Sequence, residues 1–441
     1  MTSLRSTPRT ASSFAIPLLA LPLSCTGDDG EGEEVADETT GGETTGDGDG
    51  DGGPCTEPGT TVPGLDPFVP AADDPLPTCA EGWASDAPLA DPSWAVALEP
   101  AEVTAYYYTY IMPPTVRALP GKQAVVAQGL ELQWFDGNGE RTASVEHGIA
   151  VSNFGGLPRD TVVARDDGHV FVAGVESDDI VIREFLDGEI VGDLDVPTPG
   201  ETRNVVALHE FSPDEWLLVG NEFDPNEGSE MFFMRVDAQG NTVLRKATGG
   251  GYCYYCYSYA SIGALDAEAN LLFGGANSLF VVDAESGMVL NNTTLPGLRS
   301  VVGSPTGAGF GWASNTFLNS TDATISFING VAVQQWTQTY ERISNGNDGF
   351  ASIDATPEGG YVVGGSEAIW WDAPQFATFA QPIVIEVDPQ GAALWKGRLA
   401  IPGDVRSVDV ASDGTVAATG LARTGGVDYN DTDDWLWVAV W

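Results

Sequence analysis

Positive charge is what this chain most lacks. Eighteen Lys and Arg and three His stand against 64 Asp and Glu in 441 residues, a formal net charge of -46 at pH 7. From residue 76 onward 49 acidic residues still face 16 basic ones, so the imbalance is not confined to one terminus. A surface this negative repels phosphate backbones and anionic lipid, which excludes nucleic acid as a partner and leaves membrane contact only through a lipid anchor. Helical periodicity is nearly absent. Catalytic signatures are missing as well: no G-x-S-x-G elbow occurs, and His147, His169 and His209 have no metal-ligand spacing among them. Cofactors are therefore not expected.

The N-terminal apolar run, residues 14-24, has 11 residues, where about 20 are needed to cross a bilayer. With Arg5 and Arg9 before it and Ser24-Cys25 after it, the run reads as an export signal over 1-24. The arrangement resembles a bacterial lipoprotein signal, which implies acylation of Cys25 and an outer-membrane or cell-surface location. Ordinary cleavage and an extracellular protein are the alternative. Residues 26-54 hold eleven Asp or Glu and no Lys or Arg; such a tract cannot bury apolar area to offset chain entropy, so 25-75 is expected to be a disordered acidic tether. The Asp47-Gly52 alternation lacks the Glu that an EF-hand needs at position 12, where Pro58 stands. A lipoprotein-like signal followed by such a tract is similar to myxobacterial surface proteins. Under export the remaining cysteines, Cys55, Cys79, Cys253 and Cys256, are even in number and suited to disulfides. Cys253-Tyr254-Tyr255-Cys256 has redox or half-zinc spacing, but no second CxxC accompanies it.

What the chain does have is repetition. Val162-Gly174 (VVARDDGHVFVAG), Val408-Gly420 (VDVASDGTVAATG) and Ile353-Gly365 (IDATPEGGYVVGG) share one pattern of apolar strand, acidic-Gly turn and apolar strand ending in Gly. Anchoring seven copies on Ala127, Gly174, Gly220, Gly274, Ala313, Gly364 and Gly420 gives a mean spacing near 49 residues, the length of a four-stranded antiparallel unit with short turns. One unit cannot bury its own apolar face, so the copies must stack. The fifth is degenerate, with Asn329-Gly330 at its second turn. The seventh ends after its third strand, and Trp94-Leu98 is an apolar stretch of the right length to supply the fourth. Segment 70-90, rich in Pro, Ala and Asp, reads as a wrapping arm.

These repeats resemble bacterial β-propeller families, with Asp388-Pro389-Gln390-Gly391-Ala392-Ala393-Leu394-Trp395 the fullest match. The resemblance implies an all-β, seven-bladed propeller of four-stranded blades over 76-441, closed by an N-terminal strand. Some relatives by repeat shape are quinoprotein dehydrogenases, whose cofactor stacks on a disulfide of adjacent cysteines; Cys253 and Cys256 are not adjacent. The chain therefore reads as a non-catalytic module for a protein or glycan ligand at a propeller face, expected to be a monomer, with a secreted glycan-active hydrolase or lyase, and after it a quinoprotein-like oxidoreductase, as the alternative. Tyr offers a rigid apolar face and a hydroxyl suited to sugars or protein hot spots. The candidate ligand residues are accordingly Tyr106, Tyr108 and Tyr110; Tyr254, Tyr255 and Tyr257; and Trp370 and Trp371. Packing between blades is the competing reading of each. Asp428, Asn430 and Asp434 offer oxygen ligands for a structural calcium, against a solvated acidic turn.

Overall fold

The computed structural model describes residues 59-67, 83-84, 86-99 and 102-441, apart from 106-107, 112-113, 150-158, 177-178, 199-200, 225-227, 249-260, 276-277, 296, 317-321, 341-347, 373-376 and 424-433. Among them, no helix is long and apolar enough to cross a membrane. Seven four-stranded antiparallel sheets, here blades 1 to 7, stand around a common axis. Their innermost strands are Thr115–Leu119, Val162–Ala164, Glu201–Ser212, Ile262–Leu265, Leu298–Gly303, Gly349–Ala355 and Gly403–Val410. Each touches the next, and the seventh touches the first. The protein is thus a seven-bladed β-propeller.

Closure follows the expected route. Trp94–Leu98 is the outermost strand of blade 7 and pairs antiparallel with Asp434–Val440, Val96 opposite Val438. Its indole reaches blade 1, where Trp94 Nε1 donates to the Lys122 carbonyl at 2.8 Å. The ring lies so close to Gly139 that a Cβ there would sit 2.9 Å from it. One cluster contains Trp94 and Leu98 with Val116, Phe135, Leu436 and Val438, so the first and last parts of the ring share a core. Small residues serve the same tight stacking between blades 6 and 7: a Cβ on Gly364 would meet Val408 at 2.4 Å and Val405 at 2.6 Å.

The repeated Asp-x-x-Gly signature becomes a three-residue hairpin turn between third and fourth strands. Asp237 Oδ1 accepts from Gln239 N (2.9 Å) and Asn241 N (2.8 Å), and Gly240 takes φ +80°, the left-handed position of a type I turn with a bulge. Asp136 and Asp388 make the same pair of bonds. In the degenerate fifth blade Asn329 Oδ1 accepts from Val331 N (3.2 Å) and Val333 N (2.9 Å), with Ala332 at φ +60°. The turn persists without its charge.

Residues ahead of the closing strand lie along blade 6. Thr60 N donates to the Arg398 carbonyl and Ala400 N to the Thr60 carbonyl, both at 2.8 Å. Ala90 N donates to the Lys396 carbonyl at 2.8 Å, and Trp83 Nε1 to the Gly391 carbonyl at 2.7 Å. Inside the stretch expected as tether, Val62 and Leu65 are buried in the core of blades 6 and 7. These two apolar side chains supply the burial that the Gly/Asp/Glu tract before them lacks. Beneath this arm Glu367 and Arg398 form a buried ion pair; Tyr340 and Gln381 donate to the carboxylate. Burial pushes the Tyr340 phenol well above its ordinary range.

Candidate functional site

In a blade of four antiparallel strands, the first and third turns lie on one face of the ring. The second turn and the link to the next blade lie on the other. The first and third connections are mostly tight, such as 136-140, 237-241 and 388-392. On the opposite face lie the strand ends that flank the long ones: Leu98 and Thr115, Glu146 and Val162, Thr248 and Ile262, Tyr340 and Gly349, and Arg423 and Asp434. That face also receives the ends of two long central hairpins, Glu215–Asp224 with Gly228–Asp237, and Tyr361–Asp372 with Ala377–Val387. Blade 2 makes the same hairpin from Val170–Glu176 and Asp179–Leu186. The blade 6 hairpin therefore projects further by roughly four residues, or about 13 Å. Regular repeat units build one face, and irregular connections gather on the other, where binding residues of propeller-like scaffolds are free to vary.

Each aromatic tract singled out from the sequence is carried by a connection or hairpin whose flanking strand ends lie on that irregular face. Tyr108 and Tyr110 lie on Tyr108–Ile111, which pairs with Glu102–Ala105 in a two-stranded sheet inserted between the closing strand and blade 1. Trp370 and Trp371 occupy the projecting part of the blade 6 hairpin, opposite Phe379 and Thr378. Tyr106, Tyr254, Tyr255 and Tyr257 lie outside the described residues, as do Cys25, Cys55, Cys79, Cys253 and Cys256. The link bearing Tyr254 leaves blade 3 at Thr248 and enters blade 4 at Ile262, both ends on the same face. Asp428 and Asn430 also lie outside the described residues, whereas Asp434 opens the third strand of blade 7 opposite Arg423. Among the described residues no group of three or more His, Cys, Asp or Glu is placed to hold a metal ion.

Polar groups of the axial cavity, about 380 Å³, hold the blades together. Arg117 of blade 1 pairs with Asp409 of blade 7 and donates through Nε to the Val162 carbonyl of blade 2 at 2.6 Å. Asp409 Oδ2 also accepts from Ala118 N at 2.7 Å, and Asp354 Oδ2 accepts from Val410 N at 2.8 Å. Glu210 receives both arms of Arg165 at 3.0 Å, and Asp166 receives the Ser412 hydroxyl at 2.6 Å. Behind them runs a hydroxyl series: Ser300 accepts from Ile353 N, Ser352 from Val408 N and Ser407 from Val116 N. The innermost strands of blades 6, 7 and 1 thus offer edge amides to side chains of the preceding blade, satisfying groups that would otherwise be buried unpaired. Sequence reasoning missed this series. Its trace is the recurring Ser-x-Asp, Ser352-Ile353-Asp354 and Ser407-Val408-Asp409.

A buried histidine braces the irregular face at blade 1. His147 Nε2 donates to the Gly129 carbonyl at 2.9 Å, and its Nδ1 accepts from Ile149 N at 3.2 Å. This pattern requires the neutral ring. Burial holds the His147 pKa below its ordinary value, and the Arg183 guanidinium works in the same direction. Asp160, Asp166, Glu210, Asp354 and Asp409 line the axial cavity together, and Asp354 and Asp409 there accept backbone amides across blade seams.

No family model matches the chain, and no curated protein matches it significantly.

Proposed function

We propose that the propeller is a non-catalytic recognition module whose irregular face binds a protein or glycan ligand. One observation supports the reading: the strand ends that flank the separate aromatic tracts, far apart in sequence, lie on a single face. Rigid aromatic side chains dominate recognition surfaces because they bring large contact area at low entropic cost. The axial acids, by contrast, are engaged in holding innermost strands together. The export signal read from residues 1-24 and the acidic tract 26-54 support a module displayed outside the cell, anchored through Cys25 or released.

The test is a screen of the full chain against immobilised glycans and cell-surface protein fractions, with Trp370→Ala/Trp371→Ala alongside. Saturable binding that the double variant weakens by about tenfold supports the reading. Reproducible turnover of a glycan without a stable complex replaces it by the hydrolase or lyase alternative.

A further inference from the structure

Blade 5 stands apart electrostatically. From Ser286 to Tyr340, 55 residues spanning the fourth strand of blade 4 and all of blade 5, only Arg299 and Asp322 carry charge. Blade 2, Val162 to Val196, carries twelve charged residues in 35. The same rim of blades 4 and 5 concentrates exposed apolar side chains: Met288 is 58% exposed, Val289 59%, Val331 50% and Val333 55%. Asn291 Nδ2 donates to the Val331 carbonyl at 2.5 Å, which joins the blade 4 edge to the blade 5 turn. At that turn Asn329 makes the bonds that Asp makes at 136, 237 and 388. The turn's geometry is kept and its charge removed.

Outer strands are open edges, and edges invite pairing unless charged or covered. Those of blades 1, 2 and 3 are charged: Arg141 and Glu146; Glu189, Asp193 and Asp195; Arg245 and Lys246. Blade 6 is covered by the chain's own Thr60 and Leu89. Blade 7's edge strand, Trp94–Leu98, has no fully exposed residue, and Gly64 lies beside Ala97. That leaves Met288–Thr293 and Gln334–Tyr340, which contain no charged residue and end their sheets.

We propose that this rim is the interface with a second copy of this chain, paired edge to edge about a two-fold axis. A copy with net charge -46 is repelled by every acidic stretch of its twin. The two-fold places neutral rim on neutral rim and so keeps the carboxylates of both copies apart. Antiparallel pairing of an edge strand with itself is inherently two-fold, as an isologous contact requires. The arrangement replaces the monomer expected from sequence. It leaves both irregular faces free, so a paired molecule presents two ligand surfaces and gains avidity for a repetitive target. It does not depend on what those faces bind.

Sedimentation equilibrium of the full chain at about 100 μM in roughly 0.15 M and 0.5 M salt tests it. The expected mass is twice 46.3 kDa, with salt strengthening association as residual repulsion is screened. Val289→Glu/Val333→Glu, at exposed positions outside the core, should weaken pairing by at least about tenfold with an unchanged circular dichroism spectrum. Asn329→Asp should weaken pairing while preserving the turn. A monomer at both salts overturns the proposal. So does a dimer indifferent to the double substitution, or a monomer that sediments instead with phosphatidylcholine vesicles.

Discussion

Replacing Trp94 by Ala should lower the stability of the whole ring, although the residue belongs to a five-residue strand at its N-terminal edge. The indole is buried against Phe135, with ring centroids 6.0 Å apart, and donates to Lys122 of the neighbouring blade. Removing a buried Trp costs about 3-5 kcal/mol. The unfolding entropy of a unit near 380 residues is roughly 0.8 kcal/mol per degree, so Tm should fall by about 4-6 °C. Val96→Pro attacks the same strand differently: it deletes an amide opposite Val438 and fixes φ, and should lower Tm as well. Differential scanning calorimetry should show a single transition displaced downward in both variants, because the closing strand links blades 7 and 1. Hydrogen exchange should then accelerate around the ring. Unchanged Tm, with faster exchange confined to 94-98, would refute closure as the source of cooperativity.

Three further expectations concern the turns, the axis and the buried histidine. Replacing Asp237 by Asn should leave Tm at neutral pH within about 1 °C, since Asn329 already makes the same bonds. Hydrogen bonds from Asn241 and Gln239 hold the Asp237 pKa below 3.8. The stability it contributes is therefore present above pH 3.8 and is lost as pH falls through the lower folded value; acid melts of D237N should lack this component. Asp409→Ala removes the carboxylate that pairs with Arg117 and accepts from the Ala118 amide; chemical denaturation should register a loss of about 3 kcal/mol, and a loss under 1 kcal/mol would contradict the stitching role. For His147, a folded pKa below 6.5 means that the unfolded chain takes up protons first. Its contribution is complete above pH 6.5 and declines as pH falls toward the folded pKa. Nitrogen NMR at pH 6.5 should show a neutral ring with hydrogen on Nε2, and an imidazolium signal would rule out the hydrogen-bonding pattern seen with Gly129 and Ile149.

Seven blades were legible because each central hairpin couples apolar strands to turns whose chemistry is local. Asp237 and Gly240 specify their turn within five residues, and the pattern recurs. Trp94–Leu98 was legible as the missing strand because an incomplete final blade demands one. Long-range features left fainter traces. Nothing beside Ser407 in sequence reveals that its hydroxyl serves Val116, a residue of another blade. Val62 and Leu65 lie in a tract whose charge and Gly content speak for a tether, and their burial depends on a groove built by blades 6 and 7. The aromatic tracts could be found as segments, but their assignment to one face required the strand order. The weak fifth copy was visible as an irregularity; its meaning as a neutral rim emerged only when the edges of all seven blades were compared.

The most direct test of the ligand-face claim is hydrogen-exchange footprinting of the full chain with a ligand recovered from the glycan and protein screen. Protection should map to 102-111, 249-261 and the facing ends of Tyr361–Asp372 and Ala377–Val387, with the ligand recovered chemically unchanged. Protection centred on the tight turns or the axial cavity, or recovery of a cleaved ligand, would contradict the account.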